Sequence, residues 1–355
     1  MCAAKQSPML NPKAALDFTP PPEYQKVTVI DAHTAGEPFR VIIAGFPKLE
    51  GATILERRRF AKTNYDHLRT ALMWEPRGHA DMYGCILTPP ITPSADFGIL
   101  FIHNEGFSSM CGHGIIGIAT VVIETGMCPA QEPVTTLRID SPAGLITVQA
   151  YIEQGRVTHV TFHNVPSFVA ALDEVVDVPG LGQIRYDLAF GGAFYAYVQA
   201  EEVGLKCEPQ QVRQLIETGM AIKRAVMESR PIVHPFEADL GFLYGTIFVG
   251  PATDPTHHSR NVCIFAEAEV DRSPTGTGVS GRLAIHHRRG ELGLNQQIEI
   301  ESLIGTTFRG QVIRETSFGP FSAIIPEVSG SAFLTGRQEL WIDPNDPLRH
   351  GFLLR

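Results

Sequence analysis

The sequence predicts an α/β chain of the α+β type. It is expected to form two pseudo-symmetric domains, each a central apolar helix wrapped by mostly antiparallel strands, with the active site between them. Three observations lead there. The 355 residues exceed the size at which a single core usually keeps growing. Met110-Cys111-Gly112-His113-Gly114-Ile115-Ile116-Gly117 and Pro274-Thr275-Gly276-Thr277-Gly278-Val279-Ser280-Gly281 repeat one glycine spacing, one in each half. Each opens a helix-like segment set among strand-like runs that lack the regular strand–helix alternation of a parallel sheet. The expected division is a disordered or extended leader at 1–25, a first α/β domain at 26–185 to which a strand from the C-terminal end returns, and a second at 186–355.

The leader contains Pro8, Pro12 and Pro20-Pro21-Pro22, which oppose regular structure. Residues 27–31 and 39–43 are β-rich and alternate, with Thr34-Ala35-Gly36-Glu37-Pro38 as the turn between them. Residues 56–70, continued by Ala71-Leu72-Met73, mix charges with helix formers and contain no Pro or Gly, which predicts one surface helix. A polar turn at 75–81 precedes strand-like runs at 82–88 and 97–103, and the Cys111 turn follows. Residues 113–124 are apolar almost all round and stop near Gly126, so this helix must be enclosed on every side. Beyond it, strands are predicted at 145–151, 157–163, 194–199, 245–249 and 259–265, with a long helix at 209–228. A helix at 277–289, ending at Gly290, precedes strands at 297–303, 308–315, 322–326 and 331–339.

Hydrophobic content of 44% and charged content of 19% describe an ordinary globular protein. A net charge of -9 and no long Lys/Arg tract argue against nucleic acid or an anionic membrane as the main partner, and for a small molecule. The apolar run at 114–123 is far short of the roughly 20 residues that span a bilayer. The first residues have no apolar segment of signal-peptide type, so a cytoplasmic location is expected. Six scattered cysteines read as reduced thiols rather than a zinc site or a disulfide framework.

Both repeats match G-x-G-x-x-G, through Gly112, Gly114, Gly117 and Gly276, Gly278, Gly281. A dinucleotide site would need a strand running straight into the glycines and an acidic residue about 20 positions on, and the turn residues before each match fit this poorly. Glycines at a helix start instead let backbone approach a ligand, and the free N–H groups there attract an anion. Two such starts facing one cavity would hold a carboxylate and ease deprotonation of the carbon beside it. The proton acceptor would be the side chain just before the glycines. A helix N-terminus lowers a thiol's pKa, so Cys111 is expected to supply some thiolate near neutral pH. Thr275 is a far weaker acid, and as a favoured N-cap its hydroxyl would satisfy orphan N–H groups. The asymmetry favours elimination over racemisation. The pairs His257-His258 and His286-His287 do not make a metal site, because adjacent residues do not point at one ion. Phe190-Gly191-Gly192-Ala193-Phe194 reads either as a wall for the ligand or as core.

These residues resemble the proline racemase family, which includes hydroxyproline epimerases and trans-3-hydroxy-L-proline dehydratases. The resemblance runs from about Lys26 through Asp31-Ala32-His33-Thr34-Ala35-Gly36-Glu37-Pro38, Glu75-Pro76-Arg77-Gly78-His79, Asp81-Met82-Tyr83-Gly84, Met110-Cys111-Gly112-His113-Gly114 and Asp271-Arg272-Ser273-Pro274-Thr275-Gly276-Thr277-Gly278. It implies the fold shared with diaminopimelate epimerase-like proteins. Racemases and epimerases of the family carry a cysteine at both turns; Thr275 at the second implies the dehydratase branch. The resemblance further implies that Cys111 removes the Cα proton of trans-3-hydroxy-L-proline. Loss of the 3-hydroxyl then leads to pyrroline-2-carboxylate, with no cofactor or metal. Gly112, His113, Gly276 and Thr277 would bind the substrate, mainly its carboxylate, and Asp271 would pair with its ammonium. Thr275 would contact the departing hydroxyl or withhold a proton from Cα. Asp271 also reads as a turn residue and His113 as a packing histidine. A homodimer is left open. The competing readings are 4-hydroxyproline epimerase or proline racemase, and a catalytically silent imino-acid binding protein.

Overall fold

The computed structural model describes residues 11–354, and the part of the expected leader at 1–10 lies outside them. Residues Pro12–Ala15 make one short 3-10 turn ahead of the first strand. The chain then runs through β1 (Gln25–Thr34) and β2 (Glu37–Ala44), joined at Ala35 and Gly36, whose φ values of 52° and 94° make the tight turn. The expected single surface helix is two. α1 (Ile54–Asn64) stops at Tyr65, and α2 (Asp66–Met73) turns inward with Leu68 through Met73 all buried. The apolar stripe of Leu68, Ala71, Leu72 and Met73 drives this. Arg69 goes in with it, because its guanidinium donates to the carbonyls of His103 and Asn104 and to the Asp66 carboxylate.

β3 (Tyr83–Thr88), β4 (Phe97–His103) and β5 (Gly106–Phe107) lead into α3 (Gly112–Glu124), in which Gly112 through Ile123 are all buried. β6 (Val134–Ser141), β7 (Gly144–Glu153), β8 (Arg156–His163) and β9 (Ser167–Val178) follow. The order then recurs: β10 (Gly182–Phe190), β11 (Phe194–Gln199), α4 (Val212–Ser229), β12 (Leu243–Gly250), β13 (Ser259–Phe265), β14 (Glu269–Val270) and α5 (Gly276–Arg288). β15 (Ile298–Glu301), β16 (Thr307–Phe318), β17 (Phe321–Gly330) and β18 (Ala332–Ile342) complete it.

The pairings repeat as well. β2–β3 and β11–β12 are parallel, as are β4–β6 and β13–β15, and the remaining ladders are antiparallel. The strands β9 and β18 each pair into the opposite set: β9 with β10 and β17, and β18 with β1. β17 bridges the two sets, since Ala323 and Ile324 pair with β9 while Glu327 through Gly330 pair with β8. We propose that the domains are the repeats β1–β9 and β10–β18 with their last strands exchanged; the expected boundary at 185/186 falls inside β10. α3 packs against β1, β2, β7, β8, β17 and β18, and α5 against β9, β10, β16 and β17. Each fully buried Ile or Val of these helices contributes on the order of 2 kcal/mol by leaving water, which is why α3, with no polar face, is stable here; α5 buries Arg282 as well, against Ser259 and Asn261. No helix among the described residues is long and apolar enough to cross a membrane.

Candidate active site

The two helix starts meet backbone to backbone. A Cβ built on Gly112 would lie 2.5 Å from the Gly276 Cα, and one built on Gly276 would lie 2.7 Å from the Gly112 Cα. Only glycine at both positions permits this approach. Gly191 and Gly192 tie the arrangement from behind: Ser109 Oγ donates to the Gly192 carbonyl at 2.7 Å, and Asn164 Nδ2 donates to the Gly191 carbonyl at 2.7 Å and to Ser280 Oγ at 2.8 Å. In the core Phe190 stacks on Phe168 and Phe194 meets it edge-on, so this segment supports the helix starts rather than forming a wall of the cavity. Cys111, Gly112, His113, Asp271, Thr275, Gly276 and Thr277 all line one cavity of about 20 Å³, together with Tyr83, Met110, Tyr195, Tyr244, Cys263 and Phe265. That volume has room for about one water. A larger groove of about 670 Å³, lined by residues such as Ser167, His287 and Phe321, has none of these groups.

Cys111 caps α3 in extended backbone, φ -145° and ψ 107°, and its Sγ accepts the Gly114 N–H at 3.2 Å. His113 Nδ1 lies 3.2 Å from the same sulfur, and its ring meets Tyr83 edge-on at 4.8 Å. Burial drives the His113 imidazole down to about 3, so the ring is neutral. The expectation of ready thiolate needs correction. Burial pushes the Cys111 thiol well above its ordinary value, with the charge of Asp271 adding to the rise, and the Gly114 N–H and the Tyr83 hydroxyl only partly offset this. Desolvation of a sulfur anion outweighs the helix terminus in so enclosed a site.

Thr275 also departs from expectation. It precedes α5, yet its hydroxyl caps nothing; Oγ1 donates to Asp271 Oδ2 at 2.8 Å. Its backbone sits at φ 66°, a left-handed conformation that strains a β-branched residue by on the order of 1–3 kcal/mol. The Asp271 carboxylate also accepts the Ser273 N–H at 2.7 Å. Burial lifts Asp271 to about 6, against the hydrogen bonds from Ser273 and Thr275 that favour its charge. Glu37, wholly buried, accepts the Arg272 N–H at 2.7 Å, and burial with the Asp271 charge pushes it well above the usual carboxylate range. Behind Thr275 stands Cys263, whose thiol burial also raises strongly. Thr277 shares a 2.8 Å hydrogen bond with the Tyr195 hydroxyl.

Sequence reasoning missed Tyr83, Tyr195, Tyr244 and Cys263. Tyr83 lies inside the quoted Asp81-Met82-Tyr83-Gly84 segment, which was its available signal. The others come from β11, β12 and β13 and reach the cavity only through tertiary pairing. The histidine pairs are engaged elsewhere, His257 with Glu301 and His286 with Glu291. Among the described residues no three His, Cys, Asp or Glu side chains are grouped to hold a metal ion.

Chemically, the cavity offers two helix N-termini for an anion, a buried carboxylate for a cation, and a thiol opposite a hydroxyl whose proton is already committed. The whole chain is similar to known proteins. The chain is 49% identical to a trans-3-hydroxy-L-proline dehydratase of Colwellia psychrerythraea, over 94% of each chain. It is 46% identical to a 4-hydroxyproline 2-epimerase of Streptosporangium roseum, over 92% of this chain and 97% of that one. A crystal structure of a hydroxyproline epimerase from Agrobacterium vitis with bound trans-4-hydroxy-L-proline superposes with a TM-score of 0.88 at 33% identity, covering 93% of this chain and 96% of that one. With the proline racemase model matching residues 29–353, the chain belongs to the proline racemase family.

Proposed function

We propose that this chain is a hydro-lyase that converts trans-3-hydroxy-L-proline to pyrroline-2-carboxylate without a cofactor. The observation that carries the reading is Thr275. At the helix start opposite Cys111 stands a hydroxyl that donates to Asp271, and so has no proton to deliver to the second face of Cα. The relatives divide between dehydratase and epimerase names at 49% and 46% identity, so overall similarity does not choose, and Thr275 is what supports the dehydratase reading.

In this reading the substrate carboxylate sits on the N-termini of α3 and α5, where helix dipoles and unpaired N–H groups stabilise the charge that spreads into it during deprotonation. The ring ammonium pairs with Asp271. That cation cancels the field that helps hold the Cys111 thiol protonated, so substrate binding itself favours the thiolate. Sulfur takes the Cα proton, the freed pair forms the C2=C3 bond as C3–O breaks, and the enamine tautomerises to the cyclic imine. The reading fails if overnight incubation with trans-3-hydroxy-L-proline shows no loss of water by mass spectrometry. The free thiols of Cys85, Cys111, Cys128, Cys207 and Cys263 support a cytoplasmic location within the same proposal.

Ammonium binding needs Asp271 ionised. Its folded value is raised to about 6, so kcat/KM should rise with pH through about 6, and Asp271→Asn should remove that acid limb from whatever activity is left. A pH–rate profile of both forms checks it.

A second reading rests on Cys263, a thiol that lines the same cavity as Thr275. A relay through Thr275 would protonate the second face and make the chain an epimerase. Chiral chromatography of L-proline and trans-4-hydroxy-L-proline after incubation separates the two readings. Thr275→Cys should gain racemisation of L-proline, because it places an ionisable group at the second helix start. Were the variant to form no D-proline, the neighbouring pocket residues would share control of the outcome with position 275.

A further inference from the structure

A departing hydroxide needs a proton, and stereochemistry restricts where it comes from. In trans-3-hydroxy-L-proline the hydroxyl and the carboxylate lie on opposite ring faces. The Cα hydrogen is opposite the carboxylate, so it shares a face with the 3-hydroxyl. Elimination is therefore syn, and the base and the group that assists the hydroxyl stand on the same side. With Cys111 as the base, Thr275 at the other helix start is on the wrong face, and its proton is already given to Asp271.

Among the residues lining the cavity, His113 lies against the Cys111 sulfur and Tyr83 against the His113 ring. His113 is neutral and directed at the sulfur at 3.2 Å, so it is no acid. Tyr83 is placed differently. Its hydroxyl shares a hydrogen bond with Ser108 Oγ and lies 3.4 Å from the Tyr244 hydroxyl. Its ring is clamped edge-on to His113 at 4.8 Å and stacked on His103 at 5.5 Å, and His103 is itself held by Glu269 at 2.8 Å.

We propose that Tyr83, set by Ser108, holds and protonates the departing 3-hydroxyl on the Cys111 face of the ring, which rests on the dehydratase reading above. Three proton movements balance the step. The Cα proton passes to the Cys111 sulfur, the Cα–H electron pair becomes the C2=C3 bond, and the C3–O pair leaves with the oxygen. That oxygen takes the Tyr83 proton and departs as water. The phenolate then recovers a proton from the Cys111 thiol beside it, which restores both groups. Burial keeps the Tyr83 hydroxyl protonated until the oxygen leaves.

The test is Tyr83→Phe in deuterium oxide, following water loss and Cα deuterium in recovered trans-3-hydroxy-L-proline for parent and variant, with Ser108→Ala as a milder second variant. The expected result is a loss of dehydration on the order of 10²–10⁴-fold, with Cα deuterium exchange retained. The same variant should be largely rescued on trans-3-chloro-L-proline, since chloride leaves without a proton. Dehydration by Tyr83→Phe within about threefold of the parent overturns the assignment and leaves the dehydratase reading standing. Loss of exchange together with dehydration overturns it too, because Tyr83 would then serve only to position Cys111. If Tyr83→Phe does not fold, Ser108→Ala decides alone: it should slow dehydration more than exchange, and equal effects on both overturn the proposal. A parent enzyme that releases no water removes the dehydratase reading, and the role of Tyr83 with it.

Discussion

Cys111→Ser should lose dehydration by on the order of 10²–10⁴-fold while melting within a degree or two of the parent chain. The two halves of this expectation have separate causes. Structurally, Cys111 is the N-cap of α3 and accepts the Gly114 N–H, a duty that serine performs at least as well. The site is tight, since a Cβ on Gly114 would already lie 2.9 Å from the sulfur, and oxygen is the smaller atom. Chemically, an alcohol buried beside Asp271 is far beyond ionisation near neutral pH, and the neutral His113 next to it offers no charge to help. Loss of activity with an unchanged melting curve therefore isolates the base. Retention of more than a tenth of parental water loss would show that another group takes the Cα proton. The imine can be followed by mass, and Cα deuterium uptake should vanish in parallel.

Gly112→Ala should damage both fold and activity. The added methyl would meet the Gly276 Cα at 2.5 Å, with the Gly276 carbonyl carbon and nitrogen at 3.0 and 3.2 Å. All three atoms are backbone, so no side chain can swing aside. The helix starts must separate, and overpacking of this kind costs on the order of 1–3 kcal/mol. Misplacing a reacting group by about 1 Å costs on the order of 10²-fold in rate. Thermal melting and kcat should fall together, and Gly276→Ala should behave alike because the clash is reciprocal. Gly126→Ala is the contrasting control: it meets nothing within 4 Å but strains a φ of 75°, so it should lower stability and leave kcat alone.

The glycine frame made the centre of the site legible. Glycine spacing is a backbone requirement, and it points to the side chains that flank it whatever the rest of the chain does. The first enclosed helix was legible for a similar reason, since a twelve-residue stretch without a polar face has few other places to go, whereas the second was legible from its glycine turn and the Gly290 stop. What escaped depends on contacts made far along the chain. The break at Tyr65 follows from the stripe of Leu68, Ala71, Leu72 and Met73 turning inward, which is possible because the Arg69 guanidinium buried with it finds carbonyls at 103 and 104. In β9 the half-buried or exposed run from Val169 to Val175 blurs the alternation, β6 and β10 expose Arg138 and Arg185, and no strand was expected in any of the three. The Thr275 hydroxyl obeyed the carboxylate four residues back rather than the helix ahead of it. The high thiol pKa of Cys111 reflects enclosure, a property of the assembled cavity rather than of any motif.

The chamber between the helices is too small for the ring it would process, and beside its aromatic and polar lining Gly112 and Gly276 meet backbone to backbone. Traffic must therefore part the two halves on arrival and again on departure, and a step of that kind drags against solvent. Adding glycerol or sucrose should slow turnover in proportion to viscosity, while a sluggish variant such as Tyr83→Phe, limited by bond breaking instead, should hardly notice.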